Sequence, residues 1–231
     1  MFNGKLKAVT FSYDDGVTQD IRLIEMFNKY GLKGTFNLNS GRLGQQRTLE
    51  REGKIVHHNK VLASEVAQVY KGHEVAAHTL NHPLLPRLSD DEITKEVEQD
   101  RLALSELVGY DVVGFAYPGG GVNFDDRVAK VIRRTTGIKY ARTIISSGSF
   151  DLQKDLYVFE PTCYHHGEFD KMFELAERFI NMETDKPQIF YIWGHAYEFD
   201  IHNTWDKIDD FCKLISGHSD IFYGTNREVL L

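Results

Sequence analysis

Strand-like and helix-like stretches alternate along this chain from one end to the other. That alternation confines it to an α/β architecture of parallel strands joined by helical crossovers. Residues 7–13 (KAVTFSY) are β-rich and stop at Asp14-Asp15-Gly16, a tight turn. Ile21, Leu23, Ile24, Met26, Phe27 and Tyr30 then follow at helical spacing, closed by Gly31. Strands are expected again over 33–38, 73–77, 112–116, 139–145, 188–193 and 220–223. Helices are expected over 62–71, 125–136, 168–182 and 205–216. A further helix opens at the Ser89-Asp90-Asp91-Glu92 cap and runs to Val108 before Gly109. Residues 39–57 show no clear period and read as a long loop or a small hairpin. No repeat or linker breaks the 231 residues, so a single domain over 1–231 is expected.

In such folds functional groups collect where strands end. Polar clusters fall there repeatedly: Asp14-Asp15, His78 with His82, Tyr117-Pro118-Gly119, and His195. Each has a bland reading. An Asp-Asp-Gly turn needs no function. Two adjacent carboxylates at a strand end nevertheless repel unless a cation or separate roles relieve them. His78 and His82, four apart, would share one side of a helical turn and could hold a metal, with Pro83 stopping the turn. Two histidines and one aspartate leave an open position for water, the pattern of a catalytic zinc. Gly119 to Gly121 would let backbone N–H groups approach an oxyanion. His195 ends an apolar run, FYIWG, where a proton donor to a leaving amine would be placed.

These residues resemble a known family. Residues 10–16 (TFSYDDG) are similar to the T-F-x-D-D-G motif of polysaccharide deacetylases, the NodB-homology or carbohydrate esterase family 4 enzymes. Residues 78–83 (HTLNHP) match their H-[ST]-x-x-H-P motif, and Glu74 stands where the family often has G-x-E. With His195, the resemblance spans nearly the whole chain. It implies a distorted (β/α) barrel with mostly parallel strands. It implies Asp15, His78 and His82 as ligands of a divalent metal, zinc first, with cobalt, nickel or manganese as alternatives. It implies Asp14 as catalytic base and His195 as catalytic acid. Tyr117, Gly119, Arg142 and Trp193 are the expected substrate or oxyanion contacts, Trp193 replacing the family's usual Leu beside the acetyl group.

The sequence also departs from the family's pattern. The motif Arg that pairs with the base falls at Ala116, and Arg142, at the end of the next strand, is the expected substitute. Ala196 follows His195 where an Asp is common, and no D-x-x-D-W segment is recognisable. Asp151, Glu160 and Glu198 are therefore candidates to orient His195. His165 and His166 are placed at the cleft mouth or in a polar loop, and His57 and His58 on the surface.

The expected activity is metal-dependent removal of N-acetyl or O-acetyl groups from an N-acetylglucosamine-containing oligo- or polysaccharide. The alternatives are hydrolysis of a small non-sugar amide and an inactive carbohydrate-binding homologue. A net charge of −7 argues against nucleic acid. No apolar run of about 18 residues suggests a membrane span. With no signal segment visible the chain reads as cytoplasmic, although a secreted protein whose signal was removed would look the same. Cys163 and Cys212 form no CxxC pattern, and nothing requires a disulfide. Oligomeric state is not legible.

Overall fold

A computed structural model describes residues 1–167 and 169–231. Glu168, where the sequence starts a helix over 168–182, lies outside the described residues. The chain opens with β1 (Lys7–Asp14), α1 (Asp20–Tyr30) and β2 (Gly34–Leu38). A two-stranded hairpin, β3 (Thr48–Arg51) and β4 (Lys54–His57), follows, then a short α2 (Val66–Val69) and β5 (Glu74–Ala77). Next come α3 (Asp90–Val108), β6 (Gly114–Ala116), α4 (Asp126–Thr135), β7 (Tyr140–Arg142) and β8 (Cys163–Tyr164). The chain closes with α5 (Phe169–Ile180), β9 (Gln188–Gly194), α6 (Glu198–His202), α7 (Trp205–Ile215), β10 (Ile221–Tyr223) and α8 (Asn226–Leu230).

The sheet runs β7-β6-β5-β2-β1-β9-β8, with β10 added to the start of β1, and every pairing in it is parallel. It curls into a half-barrel flanked by helices. Residues 159–164 nearly complete the ring: Phe159 bridges to Arg142 in β7, and Cys163-Tyr164 pair with β9. Central strands of such a sheet are covered on both faces and need a near-continuous apolar run. β1 is buried at all eight positions, and β9 at all seven. The polar exceptions in β1 are satisfied: Thr10 donates to Asn226 (2.8 Å), and Ser12 accepts from Asn37 (2.8 Å). Behind the sheet, Phe11, Phe27, Phe190 and Phe211 form an aromatic cluster under α1 and α7, with Phe211 edge-on to Phe11 and Phe190. No disulfide joins Cys163 to Cys212. Among the described residues, no helix is long and apolar enough to cross a membrane.

The Ser89–Glu92 capping box forms as the sequence predicts, and Gly109 closes α3 at φ 75°. The unassigned stretch 39–57 contains the hairpin. Its two-residue turn, Glu52-Gly53, takes positive φ at both positions (54° and 70°). Beyond the hairpin, Lys60 bridges to Val17, Thr18 donates to Asn59, and Val61 donates to Gly16. The hairpin is thereby fastened beside the end of β1.

Candidate active site

The cleft lies at the C-terminal ends of the strands. It has a volume of about 390 Å³ and is lined by Asp14, Asp15, His78, His82, Gly119, Trp193 and His195, among others. Asp14 ends β1, and Asp15 follows in the left-handed region at φ 84°. Thr79 (69°) and His82 (58°) share that unusual conformation. Such strain in non-glycine residues persists only where surrounding contacts enforce it. Here Asn39 donates to the carbonyls of His78 and Thr79, and the buried Asp100 accepts from the His78 N–H (2.9 Å) and from Ser40. Burial pushes the Asp100 carboxyl up to about 7.

His78 and His82 therefore do not share a helical turn. They sit in an irregular loop, because Pro83 disfavours helical geometry at His82 and Thr79 reverses the chain. The loop still brings the rings within 4.9 Å. One donor atom each from Asp15, His78 and His82 lies within 4.8 Å of the others. His78 Nδ1 donates to the Ala116 carbonyl (2.8 Å), which fixes the tautomer and leaves Nε2 facing the cleft with a lone pair. His78 Nε2 stands 4.0 Å from Asp14, and His82 Nε2 3.8 Å from Asp15, too far for hydrogen bonds. Burial and the neighbouring His78 push His82 down to about 3, and burial lowers His78. Both rings are thus neutral, as a metal requires. The donor set and its spacing fit a divalent ion.

The base candidate is held from behind. Arg142 Nη2 donates to both Asp14 oxygens (2.6 and 2.5 Å), and Asn37 donates to Oδ1 (2.7 Å). Burial works against the charged carboxyl, but the Arg142 guanidinium outweighs it and lowers its pKa. Arg142 is fully buried and stacks on Trp193, its guanidinium carbon 4.5 Å from the ring centroid. It touches Asp14 from the core side and is not a substrate contact. Arg142 and Ala116 are register partners across β6 and β7. The guanidinium missing from one strand is thus supplied at the same level by the next.

Several expectations are corrected. Tyr117 does not face the cleft: its ring stacks on Phe124, its hydroxyl donates to Tyr157 O (2.8 Å), and its N–H is used by Arg142 O (3.0 Å). Gly119 does line the cleft at φ 83°, where an added Cβ would come 2.7 Å from Leu84. His58 is not on the surface. It is buried and donates to Asp15 Oδ2 (3.1 Å), while Lys60 reaches Asp15 Oδ1 (3.2 Å) and O (2.6 Å). Alternation along the hairpin carries the signal, since His58 shares a face with buried Val56. The same alternation continues to buried Lys60. Burial opposes charge on Asp15, but Lys60 and His58 outweigh it and hold the carboxyl well below its usual range.

Of the carboxylates considered for His195, the structure selects Glu198. Its Oε1 is 3.2 Å from His195 Nδ1, and its Oε2 accepts the His195 N–H (3.1 Å). Glu198 also accepts from Arg51 (2.8 Å), from the Tyr164 hydroxyl and from His165 Nε2 (2.9 Å). His165 is therefore buried behind the acid candidate rather than at the mouth, with Tyr13 donating to its Nδ1 (3.0 Å). Asp151 pairs with Lys186, away from the cleft, and Glu160 does not line the cleft either. Burial disfavours charge on His195, but Glu198, then Asp14 and Asp15, outweigh it and raise its pKa. The imidazolium thus persists to higher pH. Glu198→Gln is expected to move the alkaline limb of the pH–rate profile to lower pH by about 1–3 units. An unmoved limb would exclude Glu198 as the partner.

Comparison with known proteins places the chain in a family. The family profile described as Polysaccharide deacetylase matches residues 3–141, and the chain belongs to that family. The uncharacterized protein YlxY of Bacillus subtilis is 26% identical over 99 residues, covering 43% of this chain and 26% of that protein. The chain thus matches about a quarter of that relative's length. Among solved structures, a family 4 acetyl xylan esterase from Clostridium thermocellum, in complex with cobalt, superposes with a TM-score of 0.59. It is 17% identical, over 96% of this chain and 90% of that one. A mutant of BA3943, described as a CE4 family pseudoenzyme with restored enzymatic activity, also gives 0.59. It is 18% identical, over 97% and 68% of the two chains. At these identities the likeness is one of fold.

Proposed function

We propose that this protein is a metal-dependent deacetylase of N-acetylated, or O-acetylated, carbohydrate, with an N-acetylglucosamine-containing oligo- or polysaccharide as substrate. The observation that carries the reading is the meeting of Asp15, His78 and His82 in one cleft with Asp14 and His195. A divalent ion held by Asp15, His78 and His82, zinc by preference, would supply Lewis-acid polarisation of the acyl carbonyl and a lowered water pKa. Asp14, ionised and fixed by Arg142 and Asn37, takes the proton of the attacking water. The glycine backbone at 119 lets the carbonyl oxygen approach closely, as an oxyanion requires. His195, protonated beside Glu198, gives its proton to the leaving nitrogen or oxygen. Trp193, stacked on Tyr164, and Tyr197 line the same cleft and give it an aromatic wall against which an acetyl group or sugar can pack.

An inactive homologue is disfavoured by Arg142, which fills the place that Ala116 vacates. The test is acetate release from a panel of N-acetylglucosamine oligomers and acetylated xylan, using chelator-stripped protein before and after zinc is restored. Release only with metal is the expected result. Equal release without metal would remove the ion from the mechanism, and none under either condition would remove these substrates.

A further inference from the structure

Outside the cleft, loops bring a second set of nitrogen and oxygen donors together. Glu52 lies in the β3–β4 turn, His166 just after β8, and His202 at the end of α6. His166 Nε2 is 2.8 Å from one Glu52 carboxylate oxygen, and His202 Nε2 is 3.2 Å from the other. The two imidazole centroids are 4.8 Å apart, and one donor atom from each residue falls within 4.8 Å of the others.

Two further observations set this cluster apart from a chance surface contact. A two-residue turn with positive φ at both positions favours Asn, Asp or Gly at the first. Here that position is Glu52, at φ 54°, with its carboxylate directed to both rings. His166 Nδ1 is buried without a hydrogen-bond partner among the described residues, and Glu198 Oε1 is 3.8 Å away.

We propose that Glu52, His166 and His202 form a second divalent-cation site, distinct from the one in the cleft. Two imidazole nitrogens and one carboxylate oxygen suit zinc, and the exposure of Glu52 leaves a position for water. Lys171 and Lys207 line the adjoining cavity of about 610 Å³, so the affinity should be lower than in the cleft. The site joins three segments that also shape the cleft wall. Arg51, beside Glu52, donates to Glu198 and Tyr197, and His202 lies four residues beyond Glu198 on α6. An ion here would staple the hairpin to the helix that carries the partner of His195.

The test is equilibrium dialysis of chelator-stripped protein against Zn²⁺, with metal counted by elemental analysis. Wild type, His202→Ala, Glu52→Gln and His78→Ala are compared after their thermal transitions have been checked. Two equivalents in wild type and one in each variant are expected. Two equivalents retained in both His202→Ala and Glu52→Gln would overturn the site. So would a single equivalent that His78→Ala loses and His202→Ala keeps, which would leave the cleft reading intact. A single equivalent lost in His202→Ala but kept in His78→Ala would support the outer site and overturn the cleft one. No bound metal would overturn both.

Discussion

Asp14→Asn is expected to lower kcat on an acetylated oligosaccharide by about 10²- to 10⁴-fold, the range of a lost general base, while a metal bound by Asp15, His78 and His82 stays in place. The two adjacent aspartates differ in what surrounds them. Asp14 is held by Arg142 and Asn37 and stands 4.0 Å from His78, whereas Asp15 faces His82, His58 and Lys60. An amide at position 14 keeps one acceptor for Arg142 and Asn37 and removes the charge, the proton site and the second acceptor that Arg142 uses. Metal content measured alongside kcat separates the roles. Lost turnover with retained metal assigns the base to Asp14. Lost metal would make Asp14 a ligand, and near-normal turnover would remove it from proton transfer altogether. The buried Arg142 loses its counter-charge in this variant, and the folded fraction should be checked first.

Much of this site was legible because its residues follow strands. A strand's end is marked in sequence by the break from an apolar run to Asp, His or Gly. β1, β5 and β9 each show that break, at Asp14, His78 and His195. What sequence could not supply was lateral register. Nothing local says that residue 116 lies beside residue 142, whereas Glu198, three residues from His195, is a partner the spacing itself offers. The hairpin contribution was hidden for a related reason. His58 and Lys60 reach Asp15 only because residues 59–61 pair with 16–18, a contact made by backbone. The short elements β8, α6 and α8 have no counterpart among the expected ones, since two to five residues give no readable period. For α8, the Thr225–Glu228 capping box was present in the sequence and would have marked its start.

Register also yields the second large effect. Arg142→Ala leaves Asp14 buried without its cation, and breaking such a pair costs about 3–5 kcal/mol of stability. The sign with pH follows from the lowered pKa of Asp14 in the wild type. A depressed carboxyl contributes stability above its unfolded pKa, near 3.9, and loses that contribution as pH falls through the folded value. In Arg142→Ala, burial without the guanidinium drives the carboxyl pKa upward, so the deficit is largest near neutrality and shrinks toward acid. Thermal or urea unfolding of both proteins from pH 7 to pH 4 reads this directly, and a pH-independent deficit would show that packing on Trp193, not charge, is what Arg142 supplies. Turnover should fall by about 10- to 100-fold, as for other lost outer partners. Because Ala116 and Arg142 are register partners on parallel strands, their side chains leave the sheet on the same face. Ala116→Arg added to Arg142→Ala therefore returns a guanidinium to the same space, and part of the stability and turnover should come back. If the double variant is no better than Arg142→Ala alone, the two strands are not interchangeable hosts for that charge, and the relocation from β6 to β7 has fixed the geometry around Asp14 in a way that a cation at the same level cannot restore.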